Sequence, residues 1–276
     1  MTRYKMAAGL LLALTACTPT MQDVNEVRTL SDVNCTTRPT CSYENSPLKV
    51  DRSRPVTLPK RPYTFYPVVE TLHFRDAQNR EWLAPSGTLT DGASIPAIFV
   101  SIVGNPTAPE YVNAGAVHDA YCGVGNEGGA MYHNGRWQDV HRMFYDALVA
   151  GGTAKPRAQV MFAAVWLGGP RWNYYYSMAA VPPPAMQQAM RDAKSYVEKN
   201  DPTLSELILY LERLEKRIIR QYPNIFPSLN PDNERQGVGE GRSEQDIEID
   251  YEPEGEVEGE PEVPDQTDLP EIFEPR

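Results

Sequence analysis

Segregation of charge is what most limits how this 276-residue chain can fold. Residues 229–276 hold 17 of the 37 acidic side chains and three of the 26 basic ones, a net charge of −14, whereas the preceding residues sum to +3. Glutamate recurs at every second position from Glu252 to Glu262, broken by Pro and Gly and nearly free of apolar anchors. Such a segment buries too little surface to offset the entropy of ordering it, and it is read as a disordered acidic tail. Two uses of it stay open, a solvated self-repelling extension or a binder of cations or a basic partner. Folding is left to what comes before it.

The opposite end is equally unsuited to a core. Met1-Thr2-Arg3-Tyr4-Lys5 is a short basic stretch, and the apolar run of residues 6–16 that follows is too short to span a bilayer as a helix. Leu14-Thr15-Ala16-Cys17 resembles the lipobox of bacterial lipoproteins. That resemblance implies a signal peptide over 1–16, lipidation at Cys17 with palmitate-type chains, and membrane partnership through the anchor. Each buried CH₂ contributes about 0.8 kcal/mol, so several acyl chains hold stably. Thr18 stands where an inner-membrane retention signal would carry Asp, which implies an outer-membrane lipoprotein of the cell envelope facing the periplasm. Residues 17–55, polar and containing proline, read as a tether. Cys35 and Cys41, six apart in a Pro-, Thr- and Asn-rich segment, are expected to form a disulfide in that compartment, which leaves Cys122 as an odd thiol, either buried and inert or close to a site.

About 170 residues remain between these ends, enough for one core. Residues 63–74 and 80–84 read as two strands joined by a turn at Asp76-Ala77-Gln78-Asn79. A loop follows over residues 85–96. Helices are predicted over residues 109–122, 137–149, 156–167, 184–199 and 204–222. The second carries a stripe of Val140, Phe144, Ala147 and Leu148, and the last one of Leu204, Leu207, Ile208, Leu211, Leu214 and Ile218. Pro156 opens the third helix and Gly168-Gly169-Pro170 closes it. The fold class is therefore α+β, a small β-hairpin region followed by an α-helical core, with a main domain over 56–175 and further helices over 176–228.

His118-Asp119 is the most suggestive pair. Imidazole is the usual general base near neutral pH, and a neighbouring carboxylate can hold a metal. An antiparallel helix would bring Asp139 or His141 back past His118, and the loop Thr90-Asp91-Gly92-Ala93-Ser94 supplies hydroxyls and a carboxylate. The candidate catalytic residues are thus His118, Asp119, Asp139 and His141, expected to face a polar pocket shared with that loop. Asp119 and Asp91 are the candidate oxygen donors to a hard cation such as calcium. Against this stands the plain reading in which Asp91 and Ser94 cap a turn and His118 is a satisfied core histidine.

The series Trp82-Leu83-Ala84-Pro85, Gly87, Thr90-Asp91-Gly92-Ala93-Ser94-Ile95-Pro96, Ala116-Val117-His118-Asp119, Phe144-Tyr145-Asp146-Ala147-Leu148 and Met161-Phe162-Ala163-Ala164-Val165 resembles domain-of-unknown-function family 1353 of bacteria and their phages. The likeness spans residues 62–172 and implies no activity. It also exposes two departures: where the family pattern has a tyrosine four residues after the histidine and an aspartate three before the phenylalanine, this chain has Cys122 and His141. A more distant similarity of arrangement links it to phospholipase A2 helix pairs. That analogy would make His118 the base, Asp119 the calcium ligand and Asp139 or His141 the orienting group, although the calcium-loop sequence and the cysteine framework of those enzymes are missing.

Three readings follow. One is an envelope-anchored hydrolase acting on an acyl ester, with His118-Asp119 at its centre. A second is a non-enzymatic module that binds a lipid, cell-wall or envelope-protein partner or one of phage origin. The third is a zinc hydrolase built on His118, His141 and a carboxylate or Cys122. No basic stripe is present, which argues against nucleic acid.

Overall fold

The computed structural model describes residues 32–229, apart from 39, 60, 62, 93–94, 105–107 and 175. The expected signal peptide, Cys17 and the acidic residues from 230 onward lie outside the described residues. Cys35 and Cys41 are joined in a disulfide with their Cα atoms 5.8 Å apart.

Six short strands come first: β1 (Ser42–Glu44), β2 (Val56–Thr57), β3 (Thr64–Pro67), β4 (Leu72–Arg75), β5 (Glu81–Ala84) and β6 (Leu89–Thr90). They form two antiparallel three-stranded sheets, ordered β1-β4-β5 and β2-β3-β6. The expected hairpin is β4–β5, with Leu72 opposite Ala84 and Arg75 opposite Glu81. Its turn is organised by Asp76, which is fully buried. One carboxylate oxygen accepts from the backbone N–H groups of Gln78 and Arg80, and the other from Arg80 Nε and Trp82 Nε1. Four charge-assisted or neutral bonds offset the desolvation of that carboxylate.

Two expectations are corrected here. The single strand expected over 63–74 is two strands in different sheets. Val68 is fully buried while Val69 is 49% exposed, because the chain bends at Val69 and Glu70 and ends the alternation. The tether, expected to reach residue 55, is folded against the domain from Asp32 onward. β1 pairs with β4, the Cys35 backbone N–H donates to Asp146 at 2.8 Å, and Leu48 is buried in the core. Three residues of strand flanked by polar sequence give no period for a reader to detect.

A 3-10 turn, Ala97–Phe99, leads into α1 (Val100–Val103). The helical core follows: α2 (Pro109–Cys122), α3 (Trp137–Ala150), α4 (Lys155–Gly168), α5 (Pro183–Asn200) and α6 (Leu204–Gln221). These match the predicted spans to within a residue or two. Proline in the first turn starts α2, α4 and α5, where its missing N–H costs nothing. Helix α6 has a capping box, Thr203 and Glu206 each accepting from the other's backbone N–H. From Tyr111 to Cys122 every residue of α2 except Asn113 is buried, so α2 is a central helix enclosed on all sides.

No break in packing falls at residue 175. The α5 and α6 residues Met190, Leu207 and Leu211 belong to the same hydrophobic cluster as Val117, Phe144 and Phe162. Arg171 and Glu215 lock the junction in a two-pronged pair, 2.6 and 3.1 Å, to which Tyr176 donates its hydroxyl. No described helix is long and apolar enough to cross a membrane.

Candidate functional site

Helices α2 and α3 run antiparallel and present three ligand-type side chains to one another. His118 and Cys122, four apart on α2, share a face, and His141 meets them from α3. His118 Nε2 lies 3.0 Å from His141 Nδ1, and Cys122 Sγ lies 3.4 Å from His118 Nε2. One donor atom from each of the three lies within 4.8 Å of the others, the one such convergence of three or more histidine, cysteine or carboxylate groups among the described residues.

The tautomers follow from a fixed acceptor. The carbonyl of Pro170 faces His141 Nε2 at 3.2 Å and can only accept, so Nε2 carries the hydrogen and Nδ1 presents its lone pair to the cluster. His118 Nε2 then donates to it. Close approach of residues 169–170 depends on Gly169. A Cβ there would meet the Val165 carbonyl at 2.3 Å and the His141 ring at 3.1 Å. The surroundings are apolar: Phe144 lies against the His118 ring at 4.8 Å, and Trp137 stands edge-on to His141 at 5.5 Å.

Burial dominates the electrostatics. It pushes the His118 imidazole down to about 4, and it holds His141 well below the ordinary histidine range, with His118 and the Arg171 guanidinium adding to the effect. Burial and then the nearby Asp119 raise the Cys122 thiol well above its usual range. Both rings are therefore neutral, and the thiol keeps its proton.

The predicted site residues fare unequally. His118 and His141 come together as the helix pairing suggested. The expectation that His118 and Asp119 face an open polar pocket is wrong: His118 is 2% exposed and Asp119 fully buried, because α2 has no outer face to present. Asp139 does not reach His118. It stands in the first turn of α3 and pairs with Arg80 at 3.3 Å and Arg136 at 3.4 Å, at the surface. Asp91, half-buried, and Asp119, fully buried, join no group of three histidine, cysteine or carboxylate side chains among the described residues. Ser94 lies outside the described residues.

Two contributors escaped the sequence reading. Asn126, in the glycine-rich connection, clasps β6 to the end of α2. Its Oδ1 accepts from Leu89 N, and its Nδ2 donates to the Leu89 and Asp119 carbonyls. The second is a cavity of about 470 Å³ between α3, α4 and α6, lined by Trp137, Trp166, Tyr174 and Tyr176 with Arg136, Asp139, Arg142, Glu212, Glu215 and Lys216. The tyrosine- and tryptophan-rich run after residue 170 was the available signal.

Residues 66–165 match the family model described as Protein of unknown function (DUF1353). Two relatives from Sinorhizobium fredii (strain NBRC 101917 / NGR234) are similar over part of the chain. The uncharacterized protein y4iH is 41% identical over 93 residues, 34% of this chain and 36% of its own length. The uncharacterized protein y4jT is 33% identical over 112 residues, 41% of this chain and 31% of its own. The chain thus spans about a third of the length of these curated relatives. No solved structure matches.

Proposed function

We propose, from the lipobox-like Leu14-Thr15-Ala16-Cys17 and from the cavity between α3, α4 and α6, that this chain is a lipid-anchored envelope protein whose folded part binds a partner and does not hydrolyse one. Cys17 would carry the anchor and the segment before Asp32 the reach, with the acidic residues beyond 229 as a solvated extension. Hydrolysis needs a base that touches substrate or its attacking water, and His118 at 2% exposure, donating to a second histidine, lacks that access.

The observation that carries the binding reading is the cavity between α3, α4 and α6. It falls within the 300–1,000 Å³ typical of small-ligand sites. Four aromatic rings form part of the wall, and the three basic and three acidic side chains balance in charge. The half-exposed rings of Tyr174 and Tyr176, combined with many donors and acceptors and no net charge, suit an uncharged polyhydroxyl ligand. In the envelope that chemistry belongs to the saccharide of the cell wall.

The test is binding of soluble disaccharide fragments of the wall to the purified full chain, read by tryptophan fluorescence. Tyr174→Ala and Lys216→Ala should each weaken it by about tenfold, as truncation at a binding hot spot does. The melting temperature should not move. Absence of any fluorescence response, together with an esterase activity that His118→Gln abolishes, would restore the hydrolase reading.

A further inference from the structure

We propose that His118 Nε2, Cys122 Sγ and His141 Nδ1 form a binding site for one thiophilic transition-metal ion of the zinc or copper class. The site is distinct from the cavity, with Trp137 standing between the two.

The argument begins with the donor set. Two imidazole nitrogens and one sulfur, with no carboxylate among them, reject calcium and magnesium and suit zinc or copper. Next is spacing. Around an ion with nitrogen at 2.0–2.1 Å and sulfur at about 2.3 Å in tetrahedral geometry, two nitrogens stand roughly 3.3 Å apart, and nitrogen and sulfur roughly 3.5 Å apart. The observed 3.0 and 3.4 Å are short of those values by a few tenths of an ångström, and the third pair, His141 with Cys122, lies within 4.8 Å, so modest side-chain rotation would close the set. Third is orientation. His141 already donates Nε2–H to the Pro170 carbonyl, the outer hydrogen bond that fixes the tautomer and ring angle of a metal-bound histidine.

The proton balance is simple. Cys122 gives up its thiol proton to solvent as sulfur binds the ion, and the hydrogen on His118 Nε2 moves to Nδ1, freeing the Nε2 lone pair. One proton is released per ion. Three protein ligands leave a fourth position, but Phe144 and Trp137 wall the cluster, so the ion would stabilise the α2–α3 pair and not meet a substrate.

The experiment uses the full chain in detergent, stripped with chelator. Zinc is titrated against a chromophoric chelator, copper is titrated as Cu(I) in a second arm, and cobalt serves as the spectroscopic probe. One equivalent should bind, in the zinc arm, the copper arm or both, and the tighter arm names the ion. Cobalt should give a sulfur-to-metal charge-transfer band. Because Cys35 and Cys41 are in a disulfide, that band reports Cys122 once Cys17 is acylated. Cys122→Ser and His141→Gln should each lower the affinity at least tenfold, with cobalt uptake by Cys122→Ser lacking the band. If either variant fails to fold, the band and the stoichiometry in the unaltered chain decide alone. Uptake below a tenth of an equivalent in both arms, or a cobalt complex without a sulfur band, overturns the proposal. So does undiminished binding by a folded Cys122→Ser variant.

Discussion

Asp146 has the same kind of history as His118, a polar residue drawn inside the helical core. Its carboxyl is pushed up to about 7 by burial, which the Cys35 N–H bond and the Arg142 and Arg80 charges oppose only in part. Because the folded value lies above the ordinary 3.8, the sign is opposite to that of a salt-bridged carboxylate. Below about pH 4 both states hold the proton. From there to pH 7 the unfolded chain ionises while the folded one does not, so stability falls as pH rises, by an amount on the order of a few kcal/mol. Asp146→Asn keeps an oxygen for the Cys35 N–H and removes the titration. His118 and His141, depressed by burial, add the opposite slope in both chains, so between urea melts at pH 4.5 and 7.5 the unaltered chain should lose stability relative to the variant. Equal slopes in the two would show that the carboxyl is solvated. Asp76, also buried, has four donors converging on its carboxylate. Replacing it with alanine should cost about 3–5 kcal/mol, the scale for stripping a buried ionic partner, as read from chemical denaturation.

Among the elements, the helices were the legible part and the reasons are local. Pro at a first turn, Gly168-Gly169-Pro170 at a last one, and the 3.6-residue stripe of α6 all act within a few residues, so a reader can see them. Of the strands the β4–β5 hairpin was legible, whereas β1, β2 and β6 span two or three residues and owe their existence to partners far along the chain. The site was half legible for the same reason. The α2–α3 pairing placed His141 near His118, but its competitor Asp139 was claimed by Arg80, which no local pattern couples to it. The outward turn assigned to His118 assumed an amphipathic helix, whereas β4, β5, β6 and α3 all pack around α2. The capping box of α6 offers a clean check on the local terms. Thr203→Ala removes the side-chain acceptor for Glu206 N and should cost about 1 kcal/mol, seen as a lower melting temperature with the native spectrum kept.

For the molecule as a whole, the question is which parts the folded body depends on. The core closes without the acidic segment. Phe226 is buried near the end of the described chain, and the last described turn is Pro227–Leu229. Nothing in the sequence of residues 230–276 offers an apolar face to add to it, and a segment of net charge −14 resists compaction by its own repulsion. A chain ending at residue 229 should therefore melt within a degree or two of the full one and keep the disulfide and the His118–His141 contact. The opposite end differs, because the chain is held to the body from Asp32 onward by Cys35 and β1, and an anchor at Cys17 would stand 14 intervening residues before that point. Fully extended, these span at most about 50 Å, enough to stand the body clear of lipid headgroups without letting it wander. Palmitate labelling should mark the unaltered chain in the membrane fraction and leave Cys17→Ser unlabelled and released. If the truncated chain loses its fold, the acidic segment is part of the structure after all. If Cys17→Ser stays with the membrane, something other than acyl chains holds the body there, and the tether argument fails with it.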